Sequence, residues 1–268
     1  MKKTLFAVIL IAVSLFLLSC AKDRGEAETG TNDRSSAETT AETTETVTEY
    51  VPSRVIKIAC VGDSLTYGVG ASDRMTKGYP AQLQSLLGDR YEVKNFGRSR
   101  AFMIDKRTYP SFTYSSDKSV AYKSTSEYKL SLQYDADIVL ICLGTNDAHA
   151  SNKNADVDQK TFFYESAVAL AKEYQNLPSE PTVYFVCPPS RFDAAYRKEY
   201  MEDTVLPQIL EAAKATECET IDVFNATDAY AANQDTQYYS SDGVHLADDG
   251  YAIFAQCVYD AVSLYRLN

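Results

Sequence analysis

Residues 137–147 read D-I-V-L-I-C-L-G-T-N-D. Apart from Asp137, the first seven are apolar, and the run then breaks at once into a glycine and three polar side chains. A continuous apolar run of this length, without alternation, is a strand buried on both faces. That is the condition of a parallel sheet covered by helices on each side. The same sentence recurs along the chain. Val55 to Val61 (V-I-K-I-A-C-V) runs into Gly62-Asp63-Ser64-Leu65, Tyr91 to Phe96 runs into Gly97, and Thr182 to Val186 is cut off by Pro188 and Pro189. Glu219 to Val223 reads as a short fifth strand.

Helical patterns separate these runs. Tyr79 to Leu87 stops at Gly88, a residue suited to a left-handed cap. Phe162 to Tyr174 carries Phe163, Ala167 and Leu170 at helical spacing. A long stretch from about Ala194 to Thr216 contains Pro207, which is expected to kink or split it. Asp248 to Leu264 closes the chain. Strands alternating with helices imply βαβ units, hence an α/β fold built as a three-layer sandwich. In such folds the ligand crevice lies beyond the carboxyl ends of the strands.

Four polar, glycine-bearing turns are thereby predicted to converge on one edge of the sheet: Gly62 to Gly68, Asn95 to Gly97, Gly144 to Asp147, and Asp242 to His245. Their chemistry is complementary. A serine hydroxyl is a poor nucleophile until a base takes its proton, and an imidazole is suited to that task. Ser64 is the candidate nucleophile, His245 the base, and Asp242, three residues earlier, the acid that orients the ring. Attack on an ester carbonyl creates an oxyanion that needs preset donors. The backbone N–H groups of Ser64 and Gly97 and the side-chain amide of Asn146 are the expected three. The larger hydrolase elbow G-x-S-x-G fails, because Thr66 stands at its second glycine. The other histidine, His149, is a rival base without an acid at the same spacing, and reads rather as a surface or substrate-contacting residue. Asp63 and Asp147 read as caps of turns or helices.

These blocks, in this order, resemble the SGNH hydrolases, also called the GDSL family. G-D-S-L stands at Gly62 to Leu65, G-x-N-D at Gly144 to Asp147, and D-x-x-H at Asp242 to His245; the name-giving residues are Ser64, Gly97, Asn146 and His245. The resemblance spans essentially the whole domain. It implies a flavodoxin-like α/β/α sandwich with a five-stranded parallel sheet, and metal-independent ester hydrolysis with no cofactor. Members often follow the block-two glycine with a small residue, Ser and Gly, where this chain has Arg98-Ser99-Arg100; the departure bears on the loop's shape.

The run G-D-S-L-T-Y-G-V-G-A-S-D, followed by Tyr79-Pro80 and N-F-G, is most similar to carbohydrate esterases of the sialate or xylan O-acetylesterase type. Deacetylation of an extracellular glycan is therefore the first expectation. A lipid-directed esterase or lysophospholipase on the same site is the second. A glycan-binding lipoprotein that has lost activity is the third, opposed by the intact Ser64, Asn146, Asp242 and His245. Arg98 and Arg100 either receive a carboxylate on an acidic sugar or are a solvated pair. Tyr109, Phe112, Tyr114, Tyr122 and Tyr128, in the long segment from Ala101 to Gln133, either stack on sugar rings or pack as core and lid.

The first residues address where the chain works. Lys2 and Lys3 precede an uncharged apolar run from Thr4 to Leu18, near the length of a signal-peptide core and short of the roughly 20 residues a bilayer span needs. Leu17-Leu18-Ser19-Cys20 resembles a bacterial lipobox, so residues 1–19 are expected to be a lipoprotein signal and Cys20 the lipidated, membrane-anchoring residue. An ordinary secretory peptide is the alternative. Residues 20–50 are rich in Thr, Glu, Ser and Ala and read as a disordered tether. Residues 51–268 are then one catalytic domain.

The chain carries −11 overall; with +2 in the first twenty residues and −5 in the tether, the domain carries −8. That balance argues against nucleic acid as a partner. Of six cysteines, Cys60, Cys142, Cys187, Cys218 and Cys257 remain after Cys20 and are expected to be free thiols rather than disulfides. No pair has the C-x-x-C spacing of a zinc site.

Overall fold

A computed structural model of the chain describes residues 54–193, 198–263 and 265. The expected signal segment, Cys20 and the tether lie outside the described residues, as does the start of the helical stretch at Ala194.

Five parallel strands form the central sheet. They are β1 (Ile56–Gly62), β2 (Tyr91–Gly97), β5 (Ile138–Cys142), β6 (Thr182–Cys187) and β7 (Glu219–Asp222), in the spatial order β2-β1-β5-β6-β7. Two short strands, β3 (Ala101–Phe102) and β4 (Val120–Ala121), pair in parallel as a separate ribbon. The chain steps from β1 outward to β2, then returns to the other side of β1 for β5. The sheet order therefore reverses beside β1, the place where open α/β sheets leave a crevice.

The helices are α1 (Ser64–Tyr67), α2 (Arg74–Lys77), α3 (Tyr79–Leu87), α4 (Ser126–Tyr134), α5 (Thr145–His149), α6 (Gln159–Gln175), α7 (Lys198–Tyr200), α8 (Leu206–Ala215), α9 (Val223–Ala232) and α10 (Asp248–Val262). Successive strand residues point to opposite faces, and the core divides accordingly. Ala59, Val61, Val139, Ile141 and Phe185 face a cluster that includes Phe163, Leu170 and Ile209 from α6 and α8. Ile58, Cys60, Leu140, Cys142 and Val186 face a second cluster with Leu83 of α3 and Phe254 and Val258 of α10. Burial of both faces is why the strands read as unbroken apolar runs, and the three-layer α/β/α sandwich is the arrangement expected from them.

Several local readings change. Gly88 has φ +69° but ψ −164°, which is not a helical left-handed cap; the chain continues into a 3-10 turn, Gly88–Arg90. The stretch before Thr216 is split: a π-helical turn, Met201–Val205, separates α7 from α8, and Pro207 is the second residue of α8, directly after that turn. The segment Ala101 to Gln133, in which the sequence pattern marks no element, holds β3, β4 and most of α4. Its aromatic residues are core: Phe112 and Tyr122 are fully buried, and Tyr109, Tyr114 and Tyr128 pack against the same cluster. Tyr109 stacks on Phe162 with centroids 4.2 Å apart. All five cysteines of the domain are free thiols. Among the described residues, no helix is long and apolar enough to cross a membrane.

Candidate active site

Each candidate side chain is delivered by the end of a strand or by a turn that its own sequence closes. After β1, the Asp63 carboxylate accepts the Leu65 N–H at 2.9 Å and caps α1, so Ser64 opens the helix at the carboxyl edge of the sheet. After β5, Gly144 adopts φ +130°, a conformation closed to L side chains, and turns the chain so that Asn146 enters on α5. The Asp242–His245 turn is closed by its own acid: Asp242 Oδ1 accepts the N–H groups of Val244 and His245, both at 2.9 Å. Ser240 N–H donates to the His245 carbonyl at 2.9 Å, and Phe192 N–H donates to the Gly243 carbonyl at 2.9 Å. The turn is thus tied to the loop that follows β6.

Three side chains meet in one line. His245 Nε2 lies 2.9 Å from Ser64 Oγ, and His245 Nδ1 lies 2.6 Å from Asp242 Oδ2. Residues 181 positions apart in the chain are therefore in hydrogen-bond contact. Partial burial opposes ionisation of Asp242, but hydrogen bonds from the His245 ring and from two backbone amides outweigh it, and the carboxyl sits below its ordinary range. It is an anion at neutral pH, as a partner for a ring that must become positive should be.

The donor set differs from the expectation at Gly97. Its N–H donates to Asn95 Oδ1 at 2.8 Å, and Gly97 does not line the cleft. The glycine is required for another reason: a Cβ there would lie 2.2 Å from Tyr67 N, so α1 could not pack over β2. The residues of this loop that do line the cleft are Ser99 and Arg100, and Arg100 is held at φ +64°. Among the described residues, the Arg100 N–H has no hydrogen-bond acceptor. The Asn146 amide donates to the Ala101 carbonyl at 2.9 Å and more loosely, at 3.3 Å, to Asp63 Oδ2.

Asp63 and Asp147 are both fully buried. Burial pushes Asp63 up to about 7, against the opposing Leu65 N–H, with Asp147 adding to the rise. Burial likewise raises Asp147 to about 6, although it accepts the N–H groups of Ile104 and Met103. Those bonds fasten α5 to the segment after β3, a positioning role for the last residue of G-T-N-D.

Ser64, Asn146 and His245 open into a cleft of about 300 Å³, also lined by Val69, Thr145, Val244 and Ser115. Arg100 and His149 line it as well, whereas Arg98 does not; its guanidinium lies 3.9 Å from Glu127. One lining residue has no counterpart among the residues expected from the sequence: Arg191, from the loop after β6, which is 4% exposed and lines the same cleft. Its position after the carboxyl end of the fourth sheet strand was the available signal. A larger cleft of about 630 Å³ lies between α2, α3 and β2, with no serine–histidine pair among its lining residues.

The GDSL-like Lipase/Acylhydrolase family model matches residues 60–253, which contain every residue of this cleft. An acetylxylan esterase from Xylanibacter ruminicola is 30% identical over 222 residues, covering 77% of this chain and 43% of its own. The chain therefore spans less than half the length of that curated relative. Among solved structures, an acetyl xylan esterase superposes with a TM-score of 0.56 at 20% identity, over 77% of this chain and 100% of the other. A carbohydrate acetylesterase family member from Sinorhizobium meliloti does so with a TM-score of 0.53 at 19% identity, over 78% and 97%. At these identities the two structures speak to the fold.

Proposed function

Since the chain belongs to the GDSL-like lipase/acylhydrolase family, we propose that it is a serine esterase that removes O-acyl groups, and specifically O-acetyl groups, from carbohydrate. The observation that carries the ester chemistry is the Ser64–His245–Asp242 contact chain at 2.9 and 2.6 Å. The observation that favours a sugar over a lipid is the cleft itself. At about 300 Å³ it lies at the small end of ligand sites, and only Val69 and Val244 among its lining residues are apolar. A long acyl chain has only these two apolar side chains to pack against there, whereas the hydroxyls of a sugar ring meet several polar ones.

In this reading Ser64 Oγ attacks the acetyl carbonyl carbon while its proton passes to His245 Nε2. Asp242 holds Nδ1–H and stabilises the ring once it is positive. The tetrahedral oxyanion is met by the Ser64 N–H and the Asn146 amide, whose longer bond to Asp63 is the one an incoming anion can share. The third donor, expected at Gly97, is instead the Arg100 N–H, which has no other acceptor among the described residues. The carbon–oxygen bond to the sugar then breaks, and His245 returns its proton to the sugar oxygen. Water attacks the acetyl-serine, gives a proton to His245, and releases acetate as the proton returns to Ser64.

The cellular setting belongs to the same proposal: export by residues 1–19, lipidation at Cys20 and a tether over residues 20–50 would hold the 51–268 domain outside the cell, anchored to a membrane, where acylated polysaccharide is found. Cys20→Ala should then shift the protein from the membrane fraction to the soluble fraction.

Acetate release decides the activity. The purified chain should liberate acetate from acetylated xylan and p-nitrophenol from the acetyl ester, with rates falling as the acyl chain lengthens. Rates that rise toward the octanoyl ester would overturn the carbohydrate reading in favour of a lipid-directed one. No release from any acyl ester would overturn the esterase reading and leave a glycan-binding protein.

A further inference from the structure

The cleft has two histidines, the only two in the chain, and they are held by opposite partners. His149 lies three residues after Asn146 on α5, so both side chains fall on one helix face and line the same cleft. Its Nδ1 is 3.3 Å from a terminal guanidinium nitrogen of Arg191. Guanidinium has five N–H donors and no acceptor, so this contact is a hydrogen bond only when Nδ1 carries no proton. The neutral ring then bears its single proton on Nε2.

Arg191 is not free to move away from this position. Its Nε donates to Asp193 Oδ1 at 2.5 Å, and a second guanidinium nitrogen donates to the Thr145 carbonyl at 3.3 Å. The loop that carries it is pinned on both sides. Ser190 N–H donates to Thr227 Oγ1 at 3.0 Å, the Ser190 carbonyl accepts the Tyr239 hydroxyl at 2.7 Å, and Phe192 N–H bonds the His245 turn. Asp193 satisfies the buried charge of Arg191, which in turn fixes His149. This is the order of a catalytic triad with a cation in the middle place.

We propose that His149 is a substrate-contacting residue, held by Arg191 as the neutral Nε2–H tautomer, and that this N–H donates to a hydroxyl or ring oxygen of the sugar bearing the acyl group. Arg191 is its positioning residue. The sugar contact rests on the esterase reading; the tautomer does not. The charged groups facing His149 agree: Arg191 and Lys153 disfavour a positive ring, and Asp193 alone favours one. Together with burial, the largest influence, they hold its pKa below the ordinary histidine value. A ring so placed is a poor base, because accepting a proton would set a second cation against the guanidinium. It remains a donor over the range in which an ordinary histidine titrates. A donor of fixed direction beside the nucleophile discriminates a hydroxylated leaving group from an apolar one, because the group that fails to accept leaves a polar atom unpaired.

Long-range nitrogen–proton correlation spectra of the 15N-labelled full chain at pH 7 read the tautomer directly. With two rings in the spectrum, the pair that vanishes in His149→Gln is His149. The expected result is a protonated Nε2 and a bare Nδ1; a protonated Nδ1, or an imidazolium, overturns the proposal. Kinetics read the contact. On acetylated xylo-oligosaccharide, His149→Phe should raise KM about tenfold with kcat changed less than about threefold, the scale of one lost hydrogen bond. His149→Gln, which keeps an N–H donor, should recover part of that loss. An unchanged KM in His149→Phe overturns the contact. If the wild-type chain cleaves no acyl ester, the sugar contact falls with the esterase reading, while the spectrum still decides the tautomer. Arg191→Lys should mix the His149 tautomers, and should it fail to fold, the wild-type spectrum remains decisive.

Discussion

Two segments line the cleft with the same side chain and opposite neighbours: one wall is the Asp242–His245 turn, the other is α5 with the Arg191 loop. On one, His245 rests against a carboxylate that is itself tied down by two backbone amides. On the other, His149 rests against a buried guanidinium. A carboxylate at Nδ1 stabilises a positive ring and leaves Nε2 able to take a proton from Ser64; a guanidinium at Nδ1 opposes a positive ring and leaves Nε2 as a donor. Imidazole has no fixed role in a site. The role is set by what touches the far nitrogen; under the proposed function the His245 wall transfers a proton and the His149 wall recognises the sugar. The walls are not independent, since the Arg191 loop is hydrogen-bonded to the His245 turn.

The largest effects should come from the transfer wall. Ser64→Ala and His245→Ala should each lower kcat by about 10⁴- to 10⁶-fold, and together by little more than either alone, because the residues act as a unit. Asp242→Asn should cost on the order of 10⁴-fold, measured as acetate release, whereas the corresponding change on the opposite wall, Asp193→Asn, should act on KM for the sugar. A comparable fall in kcat from Asp193→Asn would erase the distinction between the walls.

Next in size is the donor set. Asn146→Ala should lower kcat by about 100- to 1,000-fold with KM nearly constant. Gly97→Ala tests the reassignment of that glycine from donor to packing. Its added methyl group meets the α1 backbone at 2.2 Å, so the variant should lose about 1–3 kcal/mol of stability in denaturant melts.

The smallest effect is on pH and stability. Asp63 and Asp147 have folded-state pKa values of about 7 and about 6, above their ordinary value of 3.8. The folded chain therefore binds more protons than the unfolded one across that interval, and these two groups favour folding most below about pH 4, losing that contribution as pH rises through 6 and 7. Asp63→Asn, which retains a side-chain oxygen for the Leu65 N–H, should flatten the decline of melting temperature between pH 4 and 7. An unaltered slope would mean that Asp63 is ionised in the folded protein.

The parts of this site visible in the sequence are those written locally. An apolar run that ends in glycine and a polar turn marks a strand edge, which places Ser64 and Asn146, while Asp242 and His245 are written together as a D-x-x-H turn ahead of the closing helix. What was hidden depends on contacts across the fold. Arg191 acquires its meaning from His149, 42 positions earlier, and no local spacing records that pairing. The direction of the Gly97 N–H is set by a side-chain oxygen two residues before it, which the N-F-G pattern does not announce. The tyrosines between Ala101 and Gln133 have a composition equally suited to a sugar platform or a core, and only burial separates the two. Helix α9 begins at Val223, directly after β7, so the apolar pattern of Glu219 to Val223 runs one residue past the strand's end and gives no sign of the helix.

Ester cleavage as proposed depends on Ser64 being activated by His245. Treating the purified chain with a serine-directed fluorophosphonate, and following adduct formation by intact mass and peptide mapping, tests this directly. The prediction is a single adduct on Ser64 that forms rapidly in the wild-type chain and orders of magnitude more slowly in His245→Ala. An adduct on a different residue, or equal labelling rates in the two proteins, would contradict it.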